Sequence, residues 1–223
     1  MKKIYYYLLL LSCLSTVIVY SQEKEKEKNE NRFMLGINAG SHYSYLGGGS
    51  NFANFYKNNK LNYMVGINAE MKLDESWSVY ANLNYRPRGF TSTLDLLTAN
   101  GIQHTETEMR FSYLELPLMA KYRFKNSFFY VNGGIYFAKF LSVKSIENGQ
   151  DTGINWSGYF NKLDYGSVLG VGFIFYENEK ETTNMSVELR YIHGLTGIIN
   201  QTEGDSETVM NAYCLQLNYN FTL

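Results

Sequence analysis

From Phe33 onward, apolar and polar residues alternate in about eight stretches, each closed by turn-forming residues. The clearest stretch is Leu61–Leu73. Leu61, Tyr63, Val65, Ile67, Ala69, Met71 and Leu73 fall on one side, and Asn62, Met64, Gly66, Asn68, Glu70 and Lys72 on the other. Neighbouring side chains of a strand point to opposite faces, so this segment has one greasy and one mostly polar face. Its length suits a tilted strand crossing a bilayer, which takes about 9–11 residues.

The same period predicts strands at Phe33–Tyr45, Trp77–Arg86, Phe111–Phe124, Phe128–Phe140, Asp164–Tyr176, Asn184–Leu195 and Asn211–Thr222. Short connections fall at Asp74–Ser76, Lys125–Ser127 and Glu177–Thr183. Long ones fall at Leu46–Lys60, Pro87–Arg110, Leu141–Leu163 and Thr196–Met210. Antiparallel closure places the short turns at one end and the long loops at the other, as in outer-membrane barrels with short periplasmic turns. The predicted fold is all-β, an eight-stranded antiparallel up-and-down transmembrane β-barrel.

Alternation alone does not say which face is outside. A soluble lipocalin-type barrel in the periplasm, holding an apolar ligand, would pack the apolar faces inward. Two features favour the membrane. The polar faces carry small residues (Gly36, Gly40, Gly66, Gly166, Gly170, Gly172), which suit a narrow lumen. The apolar faces carry aromatics toward strand ends (Phe33, Trp77, Tyr85, Tyr122, Phe124, Tyr219, Phe221), which suit interfacial girdles.

The N-terminus supports export. Lys2 and Lys3 precede a mostly apolar run, Ile4 to Tyr20, and Ser21-Gln22 is a plausible cleavage junction. Residues 1–21 are therefore expected to be a signal peptide. Cys13, after Leu10-Leu11-Ser12, loosely matches a lipoprotein box, and lipidation there is the alternative. Residues 22–32, rich in Glu and Lys with no apolar face, read as a charged solvated tail. The barrel domain is expected to fill 33–223, in the outer membrane of a Gram-negative bacterium. After cleavage only Cys214 remains, which excludes an intrachain disulfide and cysteine-built metal sites.

The charge balance, 20 Lys plus Arg against 21 Asp plus Glu, gives no reason to expect a nucleic-acid partner. Candidate chemistry lies on the inward faces. Glu70, Arg86, Glu115, Lys121, Glu188 and Arg190 are expected inside, where eight strands leave just enough room for side chains. Charges there must pair, because a buried unpaired ion costs several kcal/mol. They read as a salt-bridged plug of structural role, with a narrow pore as the alternative.

No enzymatic activity and no cofactor or metal is expected. His42, His104 and His193 lie in or near long loops, but no nucleophile elbow, zinc motif or phosphate-binding glycine loop accompanies them. Pro117 cannot donate to a ladder, so a local bulge is expected beside Glu115.

Tyr113-Leu114-Glu115-Leu116-Pro117-Leu118 resembles the Tyr-Leu-Glu-Ile-Pro-Leu-Leu segment of the PorT-type outer-membrane β-barrel family. Two further segments follow in family order. Asp164–Gly172 is similar to the family's Asp-Phe-Gly…Gly-x-Gly strand, and Arg190–Leu195 matches a third motif. The chain departs in having Gly197-Ile198 where the family often has Asn-Ile, and in ending Phe221-Thr222-Leu223 rather than on an aromatic. The resemblance implies an outer-membrane barrel accessory to secretion across that membrane. Its expected partners are outer-membrane lipid and other envelope or secretion proteins, met through the long loops.

Overall fold

The computed structural model describes residues 33–48, 58–98, 101–199 and 208–222. The expected signal peptide and tail lie outside them. Eight long strands follow one another: β1 (Phe33–Gly47), β2 (Leu61–Lys72), β3 (Trp77–Thr98), β4 (Gly101–Arg123), β5 (Phe129–Glu147), β6 (Leu163–Glu177), β7 (Thr183–Gly194) and β8 (Val209–Thr222). Each pairs antiparallel with its sequence neighbours. β1 also pairs with β8, from Met34↔Thr222 to Gly47↔Val209, so the sheet closes on itself and leaves no edge within the wall.

The faces settle which side is lipid-facing. On β8, Cys214, Gln216, Asn218 and Asn220 are buried, whereas Tyr213, Leu215, Leu217, Tyr219 and Phe221 are exposed. Ile37 and Leu169 are 59% and 62% exposed, while Glu115 and Glu188 are 0% exposed. That is the reverse of a water-soluble barrel, and the apolar band requires lipid around it.

The band is bordered by aromatics. Near the short turns, Trp77 and Tyr122 rings lie 4.9 Å apart, and Phe129 and Phe173 rings 5.0 Å apart. Toward the other end, Tyr213 meets Tyr191 at 5.1 Å and Tyr45 at 6.0 Å.

The lumen is filled by pairing small residues with large ones across strands. Gly172 sits opposite Tyr130, Gly170 opposite Asn132, and Gly166 opposite Tyr136. A Cβ at Gly172 would overlap the Tyr130 ring. Glycine is required there for space, so that the phenol can cross the lumen.

Three local expectations are corrected. Pro87–Arg110 is not a loop. β3 and β4 run 22 and 23 residues and stay paired from Arg86↔Tyr113 to Thr98↔Gly101, about twice what a bilayer crossing needs. The alternation of Arg86, Arg88 and Phe90 carries the ladder past Pro87 and Gly89. Likewise, Leu141–Leu163 is partly sheet, since β5 continues to Glu147 and pairs with Gln150–Asp151.

Pro117 makes no bulge. The β3–β4 register is the same on both sides of it, although pairing skips from Ala81↔Leu118 to Asn84↔Glu115. The missing donor is thus accommodated by a gap in the ladder toward β3, while Pro117 stays opposite Tyr136 on β5. The register shifts lie elsewhere, at Ser112/Tyr113 between β4 and β5 and at Ile174/Tyr176 between β6 and β7.

Candidate functional site

Because every inward side chain comes from alternate positions of a tilted strand, charged residues far apart in sequence meet inside the barrel. They form three groups at successive heights.

Nearest the short turns, Lys121 of β4 reaches past β3 to Glu70 of β2, with Nζ 2.8 Å from Oε2. The Ser78 hydroxyl donates to Glu70 Oε1 at 2.7 Å. The ammonium also lies over the Tyr130 ring, 4.3 Å from its centre. Each charge of this pair therefore has a partner of opposite sign and a further polar or aromatic contact.

In the middle, Glu188 and Arg190 share the inner face of β7. Arg190 Nε donates to Glu188 Oε1 at 2.7 Å. Glu188 also accepts from Asn132 at 2.9 Å and from the Tyr130 hydroxyl at 3.0 Å, both on β5. The Tyr80 hydroxyl donates to Asn218 from the opposite wall at 3.2 Å, so the lumen here is crossed in two directions.

Toward the long connections, Arg86 and Arg88 of β3 both donate to Glu115 Oε2 on β4, Arg88 at 3.0 Å. Arg88 continues across the lumen to Asp164 of β6, at 2.9 Å, where the Tyr136 hydroxyl donates to the other carboxylate oxygen at 3.1 Å. The Arg88 guanidinium stacks 4.4 Å over the Tyr113 ring. All four ionic side chains are buried.

Arg88 and Asp164 join the inward charges expected from the sequence, which include neither. The signal for Arg88 is its phase with Arg86, within the segment 87–110 where a long connection is expected. For Asp164 it is its phase with the inward Gly166 at the start of a strand.

Above this cluster the lumen turns apolar. Phe160, in the β5–β6 connection, is buried and meets Phe111 edge-on, with ring centres 4.8 Å apart. It bridges Ile199 of the β7–β8 connection, and Asn161 donates to the carbonyls of Ile198 and Gly197. Phe90, Phe111, Phe140 and Met210 complete a lid beneath these two connections.

The histidines do not converge. His42 points into the lumen and bonds Ser44 at 2.9 Å. His193 is on the outer face of β7, with Nδ1 2.8 Å from Asn211 Oδ1. The His104 side chain lies outside the described residues. No group of three or more His, Cys, Asp or Glu able to hold a metal occurs among the described residues.

The sequence matches a family model described as "Outer membrane protein beta-barrel domain" over residues 20–200. No curated protein matches it. Among solved structures, it is similar to OprG of Pseudomonas aeruginosa, at 14% identity, covering 86% of this chain and 97% of that one with a TM-score of 0.49. It is similar to outer membrane protein W of Escherichia coli at 16% identity, covering 88% and 100% with a TM-score of 0.49. Neisserial surface protein A follows at 12% identity, 86% and 97% coverage and a TM-score of 0.45.

Proposed function

The chain belongs to the outer membrane protein β-barrel domain family, and on that premise we propose that this bacterial outer-membrane barrel is a closed, non-enzymatic interaction protein. The observation that carries the reading is the division of labour along the axis. The lumen holds ion pairs at three heights and is covered by the Phe160 lid, while β3 and β4 run on beyond the bilayer as a paired hairpin. A sealed interior and a paired external projection suit contact with another envelope protein better than transport. The PorT-type motifs at Tyr113–Leu118, Asp164–Gly172 and Arg190–Leu195 support an accessory role in secretion across the outer membrane.

Planar-bilayer recording on the purified, folded barrel tests the closed state. The expected trace shows no stable openings, and large sustained ones would refute it. Replacing residues 92–107 with a two-residue turn should leave a heat-modifiable barrel that no longer supports secretion. A variant that secretes normally would remove the hairpin from the proposal.

A second reading, a narrow pore, draws on the lower lumen. The buried side-chain amides of Asn38, Asn68 and Asn84 have no hydrogen-bond partner among the described residues, which gives that region a polar path. The same recording decides between the readings, because a pore must conduct with the lid in place.

A further inference from the structure

The outer surface is not uniform around the barrel at the level of the upper aromatic girdle. On β1, β7 and β8 that level is occupied by Tyr45, Tyr191 and Tyr213. On β5 it is occupied by a cation, Lys139, beside Leu114 of β4. Lys139 points outward from β5 in the same cross-strand row as Leu114 of β4 and Leu163 of β6, which are 37% and 65% exposed. A lysine thus sits in a lipid-facing row, one step from Phe137. Its ammonium makes no ion pair or side-chain hydrogen bond among the described residues. A long cationic side chain at such a border extends along the apolar surface and delivers its charge to the headgroup layer.

Four residues further along β4, Arg110 lies directly opposite Lys144 of β5, both exposed on the outer face. Like charges opposite one another weaken a sheet unless something neutralises them. Neutralisation within the protein is partial. Glu108 bonds Arg110 at 3.1 Å but is shared with Lys60 at 2.7 Å, and Asp151 is 3.7 Å from Lys144. Lys60, Arg110, Lys139 and Lys144 therefore outnumber the two carboxylates among them. At about 3.3 Å per residue, the Arg110–Lys144 pair lies roughly 13 Å further along the tilted strands than Lys139.

We propose that this strip binds the headgroup of an outer-leaflet glycolipid bearing two phosphates. Its acyl chains would lie on Leu114, Leu116, Phe137 and Leu163. Lys139 takes the membrane-proximal phosphate. Arg110 and Lys144 take the distal one, where a guanidinium offers two parallel donors to phosphate oxygens. The proposal depends on the outer-membrane setting and not on the interaction role argued above.

Native mass spectrometry of the folded full-length barrel, with added bis-phosphorylated lipid A, tests it. One lipid should be retained, and removal of one phosphate should weaken retention. The triple variant Arg110→Gln, Lys139→Gln and Lys144→Gln should bind roughly 100-fold more weakly, at about fivefold per surface charge. Heat-modifiable migration reports that the variant is folded. Lys139→Arg should bind like the wild type, as should Lys125→Gln at the opposite end of the barrel. Undiminished binding by the folded triple variant overturns the site. Equal retention of phosphatidylglycerol overturns it too, because the strip would then be reading charge alone.

Discussion

The lowest and uppermost charge groups of the lumen face the same problem and solve it differently. Lys121 and Glu70 form a single pair, with Ser78 and the Tyr130 ring beside them. Arg86, Arg88, Glu115 and Asp164 form a chain in which Arg88 serves two carboxylates, one on the neighbouring β4 and one three strands away on β6. The lower pair ties strands close together in the ring, whereas Arg88 ties β3 to β6 across it. Desolvating charge is costly in both places, and the cost is recovered only when every ion keeps its partners. A shared cation therefore concentrates the risk in one residue, and a private pair spreads it.

Removing Arg88 should be the most damaging single change. Arg88→Leu leaves Asp164 without its cation and Glu115 with Arg86 alone, in a site closed to water. Breaking a buried pair costs about 3–5 kcal/mol, and here two contacts are lost together. Urea titration in lipid vesicles should show a destabilisation at the top of that range or failure to refold. A change under about 1 kcal/mol, the scale of an exposed pair, would mean that Arg88 is not the keystone. Lys121→Met should cost less, about 3 kcal/mol, because Ser78 still donates to Glu70. Adding Glu70→Gln should recover most of that loss, since the uncompensated charge is then gone, and a double-mutant cycle measures the coupling. Equal effects at Arg88 and Lys121 would erase the contrast between the two ends.

Much of this interior was legible in the sequence because a strand has a period of two. Glu70, Arg86, Glu115, Lys121, Glu188 and Arg190 could each be assigned to a face before any partner was known. Partners were less accessible, because they depend on how the eight strands are staggered around the closed ring. That Arg88 meets Asp164, 76 positions away, follows from closure and register rather than from any local signal. Pro87 and Gly89 hid Arg88 by imitating a turn, although the phase of Arg86, Arg88 and Phe90 persisted through them. The Phe160 lid was hidden for another reason, since one aromatic in an irregular connection carries no period.

A smaller effect is expected from the packing that surrounds the middle group. Gly172→Ala would drive a methyl group into the Tyr130 ring, displacing the phenol that donates to Glu188. Overpacking of this kind typically costs about 1–3 kcal/mol. Tyr130→Leu in the same chain should relieve the overlap and recover part of the loss. If Gly172→Ala alone is neutral, the lumen is looser than the small-against-large pairing implies.

The smallest effect belongs to an ion cluster in which part-exposed cations cover a nearly buried carboxylate. Glu108, on the hairpin beyond the bilayer, is contacted by Lys60 and Arg110. Partial burial pushes its carboxyl upward, but the hydrogen bonds from Lys60 and Arg110 outweigh that and hold it below the ordinary value of 4.5. A carboxylate whose pKa falls on folding stabilises the native state fully above its unfolded pKa. The contribution is lost as pH falls through the lower, folded value. Amide exchange at the paired positions Thr91 and Glu108 should therefore be unchanged near neutrality and quicken, relative to the intrinsic rate, only below about pH 4.5. Glu108→Gln should abolish that pH dependence and leave the urea midpoint of the barrel nearly unmoved, because pairs whose cations stay part-exposed contribute about 1 kcal/mol or less. High salt should mimic the substitution here and spare the Arg88 cluster, since ions in solution screen part-exposed pairs far more than buried ones. Equal salt sensitivity of the two clusters would show that water and ions enter the upper lumen, and the lid would then not be a seal.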